Sequence, residues 1–102
     1  MPRVKVASTS DVALGTATIV DVGGVAVAVF HRPEGWFAIE NTCTHQGGPL
    51  GEGDVEGFTV TCPWHASQFD IRNGNLLGPP ARRPVRAFPV IVDGDDVSVE
   101  VS

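Results

Sequence analysis

The sequence predicts an all-β domain, and three observations support that prediction. The chain has 102 residues, the length of one ordinary domain. Its β-branched residues fall in short runs separated by Gly, Pro, Asn and Asp, as they do in strands joined by turns. Two of the separators, Gly23-Gly24 and Asp93-Gly94-Asp95-Asp96, are strong hairpin signals.

Each predicted element follows from its apolar pattern and from the turn residues that end it. The nearest approach to a helical signal is one turn that Ser10 is expected to cap and Gly15 to end. The predicted strands, in chain order, are Val4 to Ala7, Thr18 to Val22, Val25 to His31, Trp36 to Asn41, Phe58 to Cys62, Gln68 to Ile71, Leu76 to Leu77, Val85 to Val92 and Val97 to Val101.

The middle of the chain differs in composition from its flanks. Residues 43 to 80 are poor in strand pattern and rich in Gly, Pro, His, Cys and Trp. Long irregular stretches in a compact domain are usually functional or disordered, and the aromatic and cysteine content favours function. We expect one domain, 1–102, with a site-bearing subdomain at about 41–80 and a basal β scaffold formed by 1–40 and 81–102.

Charge and hydropathy exclude several classes of partner. The chain has 7 Lys and Arg against 12 Asp and Glu, a formal net charge of -5, whereas nucleic acids and anionic lipids require clustered cations. The longest apolar run, Val25 to Phe30, is far shorter than the ~18 residues of a membrane span, and the first residues lack the apolar core of a secretory signal. We expect a cytoplasmic monomer without nucleic-acid or membrane partners.

Paired cysteines and histidines predict a metal site. Both cysteines and two of the three histidines occur as Cys43-Thr44-His45 and Cys62-Pro63-Trp64-His65, separated by the stretch Gln46 to Thr61. Such spacing is typical of metal ligands. His31 ends an alternating strand without a nearby cysteine, so we interpret it as structural or solvent-facing.

Two kinds of metal site fit these ligands. Two cysteines and two histidines satisfy tetrahedral zinc, and they also satisfy a [2Fe-2S] cluster with two thiolates on one iron and two imidazoles on the other. Zinc fingers usually take both cysteines from one turn, whereas here each turn supplies one cysteine and one histidine. The arrangement favours a two-iron cluster held between two loop tips, and zinc remains the alternative.

The two motifs resemble the Rieske signature, C-x-H followed by a spacer and C-x-x-H. The resemblance continues through Gln68-Phe69-Asp70, the Asn73-Gly74 turn and Gly78-Pro79-Pro80, which is similar to the proline loop that covers the cluster in that family. It implies a single Rieske domain over the whole chain. The implied fold is a Rieske-like antiparallel β-sandwich or barrel with a small cluster-binding subdomain inserted as two loops.

The resemblance also implies a cofactor and a role. A Rieske-type [2Fe-2S] cluster would have its inner iron on Cys43 and Cys62 and its outer iron on His45 and His65. Small members of this kind resemble ferredoxins that carry single electrons from a flavin-dependent reductase to the Rieske oxygenase of aromatic-ring dioxygenases. The chain is then an electron-transfer component, with no catalytic residue, and not itself an enzyme. The residues expected around the ligands are Gln46, Trp64, Ser67 and Pro79.

Departures from the family pattern carry predictions of their own. Gly48 and Trp64 stand where respiratory members have two stapling cysteines, and Phe69 replaces a tyrosine that donates to a ligand sulfur. Ser67 matches a serine that donates to a bridging sulfide. With one donor missing, we expect a midpoint potential in the lower half of the range from about -150 to +300 mV.

The partners are less sharply predicted. A small Rieske subunit of a nitrite reductase and a Rieske-like regulatory or scaffold domain are the alternative functions. An acidic strip near the first motif is interpreted as a solvated hairpin, with steering of a basic partner as the alternative. It comprises Glu52, Asp54 and Glu56. A nearby basic group receives no separate role and comprises Arg82, Arg83 and Arg86. The expected apolar docking surface comprises Pro49, Trp64, Pro79 and Pro80.

Overall fold

The computed structural model describes residues 3–101, which form strands joined by turns and two short 3₁₀ segments, Thr9–Asp11 and Leu50–Glu52. Within this part of the chain no helix is long and apolar enough to span a membrane. The strands are β1 (Arg3–Ser8), β2 (Ala17–Val22), β3 (Val25–Arg32), β4 (Gly35–Glu40), β5 (Asp54–Glu56), β6 (Thr59–Thr61), β7 (Gln68–Asp70), β8 (Leu76–Gly78), β9 (Ala87–Phe88), β10 (Val90–Asp93) and β11 (Asp96–Glu100).

The strands form three antiparallel sheets, so the all-β prediction is confirmed. The first sheet has the order β1-β11-β10 and the second β2-β3-β4-β9. The third, β5-β6-β7-β8, comes wholly from the middle of the chain. That region had appeared poor in strand from its sequence. Its strands have only three residues each, too few for an alternating pattern to be visible.

Strand β3 separates two hydrophobic clusters. Val27 and Val29 pack in one cluster with residues of the first sheet, and Ala28 and Phe30 pack in the other with residues of the third sheet. All four are fully or almost fully buried. Because successive side chains of a strand point to opposite faces, a strand covered on both faces needs an unbroken apolar run. This explains the longest apolar run in the sequence.

Two turn predictions are confirmed in detail. Gly23 and Gly24 join β2 to β3 with φ angles of 61° and 88°, the positive values that a two-residue hairpin turn needs. Gly94, with φ of 59°, lies in the hairpin that joins β10 to β11. Gly74 follows the same rule in the predicted Asn73-Gly74 turn, with φ of 78°.

Two predicted elements were wrong. The single strand Val85 to Val92 is divided at Pro89 into β9 and β10, which lie in different sheets. Proline has no N–H to donate and cannot continue a ladder at that position. The helical turn begins at Thr9, one residue before Ser10, and its entry is fixed where the N–H of Ser8 donates to the Asp11 carboxylate at 2.8 Å.

An aromatic contact positions the third sheet on the second. The ring of Phe58 meets that of Phe37 edge to face, with centroids 5.6 Å apart. The guanidinium of Arg72 lies over the other partner of this pair, 4.2 Å from the Phe58 centroid, and bonds both carboxylate oxygens of Asp70. These contacts hold the base of the third sheet, and the loops that carry the two motifs extend from it.

Candidate metal centre

The two cysteine-histidine motifs lie in loops with the same backbone hydrogen bonds. We call residues 43–48 loop 1 and residues 62–67 loop 2. In each loop the cysteine N–H donates to the carbonyl five residues later, and the N–H four residues later donates back to the cysteine carbonyl. The N···O distances are 2.9 and 2.9 Å in loop 1 and 2.7 and 3.1 Å in loop 2.

The backbone turns at the equivalent position of both loops. The fourth residue after each cysteine has a left-handed conformation, with φ of 78° at Gly47 and 66° at Ala66. Among the described residues, Ala66 is the one non-glycine with a positive φ. Such a conformation is uncommon for a residue with a Cβ. Both loops therefore reverse direction immediately after their histidines, although His45 follows its cysteine by two residues and His65 by three.

The two cysteines form the buried end of the site. Cys43 and Cys62 are 2% and 3% exposed, and neither forms a disulfide. Burial raises the pKa of the Cys62 thiol, with smaller contributions from the adjacent Cys43 thiol in the same direction. A hydrogen bond from the backbone of Trp64 acts in the opposite direction. A cation at this point would favour the thiolates that burial alone disfavours.

The two histidines form the exposed end of the site. The rings of His45 and His65 have centroids 5.1 Å apart and lie almost perpendicular, at 82°. Both side chains are exposed. His31 is separate from them: its ring stacks on Trp36 at 4.0 Å, and Nδ1 lies 2.8 Å from the Val12 carbonyl oxygen. The structural interpretation of His31 therefore fits its contacts.

The loops touch where loop 1 has a glycine. A Cβ added to Gly48 would lie 2.5 Å from Cys62 Sγ and 3.2 Å from Trp64 Cβ. The first distance is shorter than real Cβ contacts, so loop 1 has no space for a side chain there. The second shows that positions 48 and 64 face each other, as the family resemblance implied for the stapling pair. The sequence did not reveal that Gly48 faces a ligand sulfur.

Both loops are tied to the proline-containing segment 79–83. The N–H of Ala81 donates to the buried Ser67 Oγ at 2.9 Å, and Thr44 Oγ1 donates to the Arg83 carbonyl oxygen at 2.7 Å. The segment includes a cis peptide bond between Pro79 and Pro80. Because the Ser67 oxygen accepts from Ala81, its own hydrogen remains available to donate. The hydroxyl tie from Thr44 was not predicted, although this residue is the x of C-x-H.

The other expected residues surround the two loops in different environments. Trp64 is 50% exposed, Gln46 is exposed, and Phe69 is fully buried in the core of the third sheet. Pro79 is exposed, whereas Pro49 and Pro80 are half-buried. Leu77, on β8, is 51% exposed and was not singled out from the sequence, where Leu76-Leu77 indicated only a short strand.

The donor set fits a two-iron cluster. Within residues 3–101, no three His, Cys, Asp or Glu side chains gather where a single metal ion could be held. A [2Fe-2S] cluster requires only two protein ligands on each iron. The structure supplies two adjacent buried thiols and, from the same two loops, two neighbouring exposed imidazoles. Thiolate and imidazole are the ligands that such clusters use.

Comparison with known proteins gives consistent matches. The model of the Rieske [2Fe-2S] domain matches residues 2–89. The ferredoxin component of the p-cumate 2,3-dioxygenase system of Pseudomonas putida is 36% identical over 96 residues, which are 92% of this chain and 81% of that relative. The ferredoxin of carbazole 1,9a-dioxygenase from Nocardioides aromaticivorans IC177 has a TM-score of 0.91 and 34% identity, covering 97% of both chains.

Two further structures bear on partners and alternatives. One is a complex of reduced oxygenase and oxidized ferredoxin in carbazole 1,9a-dioxygenase, in which a chain with 34% identity and a TM-score of 0.87 covers 95% of this chain and 91% of its own length. The other, the small subunit of an NADPH nitrite reductase, has a TM-score of 0.86 and covers 99% of this chain and 100% of its own, but at 20% identity it shows the fold alone. The family match over most of the chain, with relatives above 30% identity, shows that this chain belongs to the Rieske [2Fe-2S] domain family.

Proposed function

We propose that the protein is a one-electron carrier whose Rieske-type [2Fe-2S] cluster is held by loops 1 and 2. Cys43 and Cys62 would bind the inner iron, and His45 and His65 the outer iron. The observation that carries this proposal is the polarity of the site: both thiols are almost completely buried, whereas both imidazoles are exposed and lie side by side. A cluster so held has a protected end and an end that a partner can reach.

The chain's own residues determine where electrons enter and leave. The bound cluster supplies storage for one electron. The backbone hydrogen bonds of each loop fix the ligands, and burial of the thiols excludes water from the sulfur end. The exposed imidazoles of His45 and His65 form the exit, beside the half-exposed indole of Trp64. We propose Trp64, with Pro79 and the half-buried Pro49 and Pro80, as the apolar docking surface.

The proposed partners are a flavin-dependent reductase as donor and a Rieske non-haem iron oxygenase as acceptor. Support for the acceptor comes from relatives named as ferredoxin components of dioxygenase systems and from the complex of one such ferredoxin with its oxygenase. The reductase is inferred from the composition of such systems. The nitrite reductase alternative is supported by likeness of fold alone. The subdomain at about 41–80 and the cytoplasmic location stay predictions.

Loss of one imidazole tests the ligand assignment. We expect H65A to be purified without the red-brown colour, with iron and acid-labile sulfide far below those of the wild type, because the outer iron loses a ligand. H31A is the matched control and should retain both, since His31 contacts Trp36 and Val12 away from the loops. Full iron and sulfide in H65A would contradict the assignment, and a colourless wild type that contains zinc would contradict the cluster.

Electron transfer tests the role. Stoichiometrically reduced protein is mixed with purified Rieske oxygenase components in a stopped-flow instrument without oxygen, and the visible spectra of both proteins are followed. We expect one electron per chain to move to an oxygenase component, with reoxidation of this protein. Transfer to a nitrite reductase large subunit, with none to any oxygenase component, would favour the alternative function.

A further inference from the structure

An open cavity of about 440 Å³ lies beside one exposed ligand histidine. His45 forms part of its wall, and the rest comes from the preceding threonine and from the segment that follows the proline pair. Two arginines, Arg82 and Arg83, line it together with His45. The complete lining is Thr44, His45, Pro80, Ala81, Arg82 and Arg83. The cavity therefore joins the exit end of the site to a pair of positive charges.

The backbone beneath this arginine pair is fixed to both ligand loops. Thr44, which directly precedes His45, donates through its hydroxyl to the Arg83 carbonyl oxygen at 2.7 Å. On the other side, the Ala81 N–H donates to the buried hydroxyl of Ser67 in loop 2 at 2.9 Å. The arginines thus follow a segment that is anchored at the metal centre, and their position relative to His45 is set by two hydrogen bonds.

The arginine pair is also electrostatically uncompensated. Among residues 3–101, the carboxylate ion pairs are those of Lys5 with Asp96 and of Arg72 with Asp70. Neither Arg82 nor Arg83 takes part in one, and both side chains are exposed. The chain as a whole has a formal net charge of -5. Two unpaired cations beside the exit are therefore a local field opposite in sign to that of the whole molecule.

We propose that Arg82 and Arg83 form a basic docking site beside His45 for a carboxylate-bearing surface of a redox partner. This inference rests on the proposed electron-carrier function and adds the charge of the partner surface that meets His45. Arginine suits this role because its planar guanidinium binds carboxylates through two parallel hydrogen bonds. Such a contact orients the partner toward His45 and accelerates encounter in a salt-dependent way.

Small inorganic oxidants test the local field without a protein partner. Reduced protein is mixed with hexacyanoferrate(III), which accepts one electron and becomes hexacyanoferrate(II), and with the cation tris(phenanthroline)cobalt(III), at several ionic strengths. We expect R82Q/R83Q to react with the anion roughly three- to tenfold more slowly than the wild type at about 10 mM salt, and with the cation no more slowly. The difference should disappear above about 0.5 M salt.

A matched variant separates local from net charge. R3Q/K5Q also removes two positive charges, but from β1, in a sheet that contains no part of loops 1 and 2. It should react with the anion at the wild-type rate, within about a factor of two. Both variants should keep the visible spectrum of the wild type. Equal slowing by the two pairs would show that net charge alone acts and would overturn the proposal.

Docking is then measured with the oxygenase component that accepts electrons in the assay of the proposed function. R82Q/R83Q should lower the second-order rate constant of transfer several-fold at low salt, whereas R3Q/K5Q should not. Slowing with hexacyanoferrate(III) but not with the oxygenase component or a flavin-dependent reductase would show steering of small anions only, which overturns the docking proposal. If no oxygenase component accepts electrons, the proposed function fails, while the inorganic oxidants and the reductase still report on the arginine pair.

Discussion

Loops 1 and 2 have the same backbone but different residues at the two positions that complete it. The fourth residue after the cysteine is Gly47 in loop 1 and Ala66 in loop 2, and the fifth is Gly48 in loop 1 and Ser67 in loop 2. The hydrogen bonds do not require these differences, because they use backbone atoms only. The contacts of each loop do: one loop must leave space for its neighbour, and the other must reach outward to hold a third segment.

The largest effect is expected where loop 1 leaves space. In G48A the new methyl group would lie 2.5 Å from Cys62 Sγ, so either the sulfur or the loop must move. We expect the protein to lose most of its iron and sulfide, measured on purified protein, because a ligand sulfur displaced from its position cannot close the site.

The control for this substitution is the preceding glycine. In G47A the nearest neighbour of the added Cβ is Thr42 Cγ2, at an ordinary 3.7 Å. Its φ of 78° is unfavourable for alanine, at a cost of about 1 kcal/mol in the free energy of unfolding, yet the cluster should be retained. Loss of iron in G47A with retention in G48A would contradict the explanation.

A smaller effect is expected where loop 2 reaches outward. S67A leaves the N–H of Ala81 without its acceptor in a buried place, which should lower the free energy of unfolding by about 1–3 kcal/mol. T44V removes the exposed tie from loop 1, and its cost should be only about 0.5–1.5 kcal/mol. Denaturant titration gives both values, and equal costs would show that burial does not distinguish the two ties.

S67A should also lower the midpoint potential measured by voltammetry, if the free hydroxyl hydrogen donates toward the cluster as the resemblance implies. The wild-type potential itself should lie in the lower half of the Rieske range, since Phe69 has no hydroxyl. A wild-type midpoint well above zero at neutral pH would contradict this expectation. The potential of T44V should stay close to that of the wild type, which makes it the control.

A third difference lies beyond the loops, because loop 2 leads into β7, which ends at a charged pair. The guanidinium of Arg72 lowers the pKa of the Asp70 carboxyl. The folded chain then binds this proton more weakly than the unfolded chain. Its contribution to stability is complete above the ordinary aspartate pKa of about 4 and is lost as the pH falls through the lowered pKa.

The D70N variant removes this pH-dependent contribution. Its free energy of unfolding should be lower than that of the wild type at pH 7, and the gap should narrow as the pH falls below about 4. Guanidinium unfolding followed by tryptophan fluorescence measures both. E56Q, which removes an exposed carboxylate of the same sheet, should keep the acid-sensitive fall due to Asp70. A constant gap between D70N and the wild type would contradict the role of Asp70.

The smallest effect is a gain. Ala66 has φ of 66°, which is unfavourable for a residue with a Cβ by about 1–2 kcal/mol, whereas glycine costs about 0.5–1 kcal/mol in additional chain entropy. A66G makes loop 2 resemble loop 1 and should raise the free energy of unfolding by about 0.5–1 kcal/mol with the cluster retained. Destabilisation in A66G would show that the alanine methyl contributes packing that outweighs its backbone cost.

Most of the fold was predictable because its longer strands carry alternating or continuous apolar patterns. The apolar run within β3 and the Gly23-Gly24 turn are the clearest examples. Strands of three residues carry too little pattern, so β5 was not predicted and the extent of the third sheet was underestimated. The division at Pro89 was overlooked because its apolar neighbours on both sides suggested one continuous strand.

The candidate ligands were predictable from residue type and spacing, but their environment was not. Nothing in Cys43-Thr44-His45 indicates that the thiol is buried while the imidazole is exposed, since this depends on how two distant loops meet. Nor does the sequence show that Gly48 faces Cys62, or that Arg82 and Arg83 share a wall with His45. These relations arise from tertiary contacts between segments that are far apart in the chain.

The two-sided burial of β3 has a consequence for how the metal centre is kept rigid. Val29 belongs to the hydrophobic cluster that faces away from the ligand loops, and its neighbour Phe30 belongs to the one that includes both cysteines. A displacement of this strand is transmitted to both sides at once. The chain should therefore melt as a single cooperative unit, and the lifetime of the cofactor should depend on valines that never touch it.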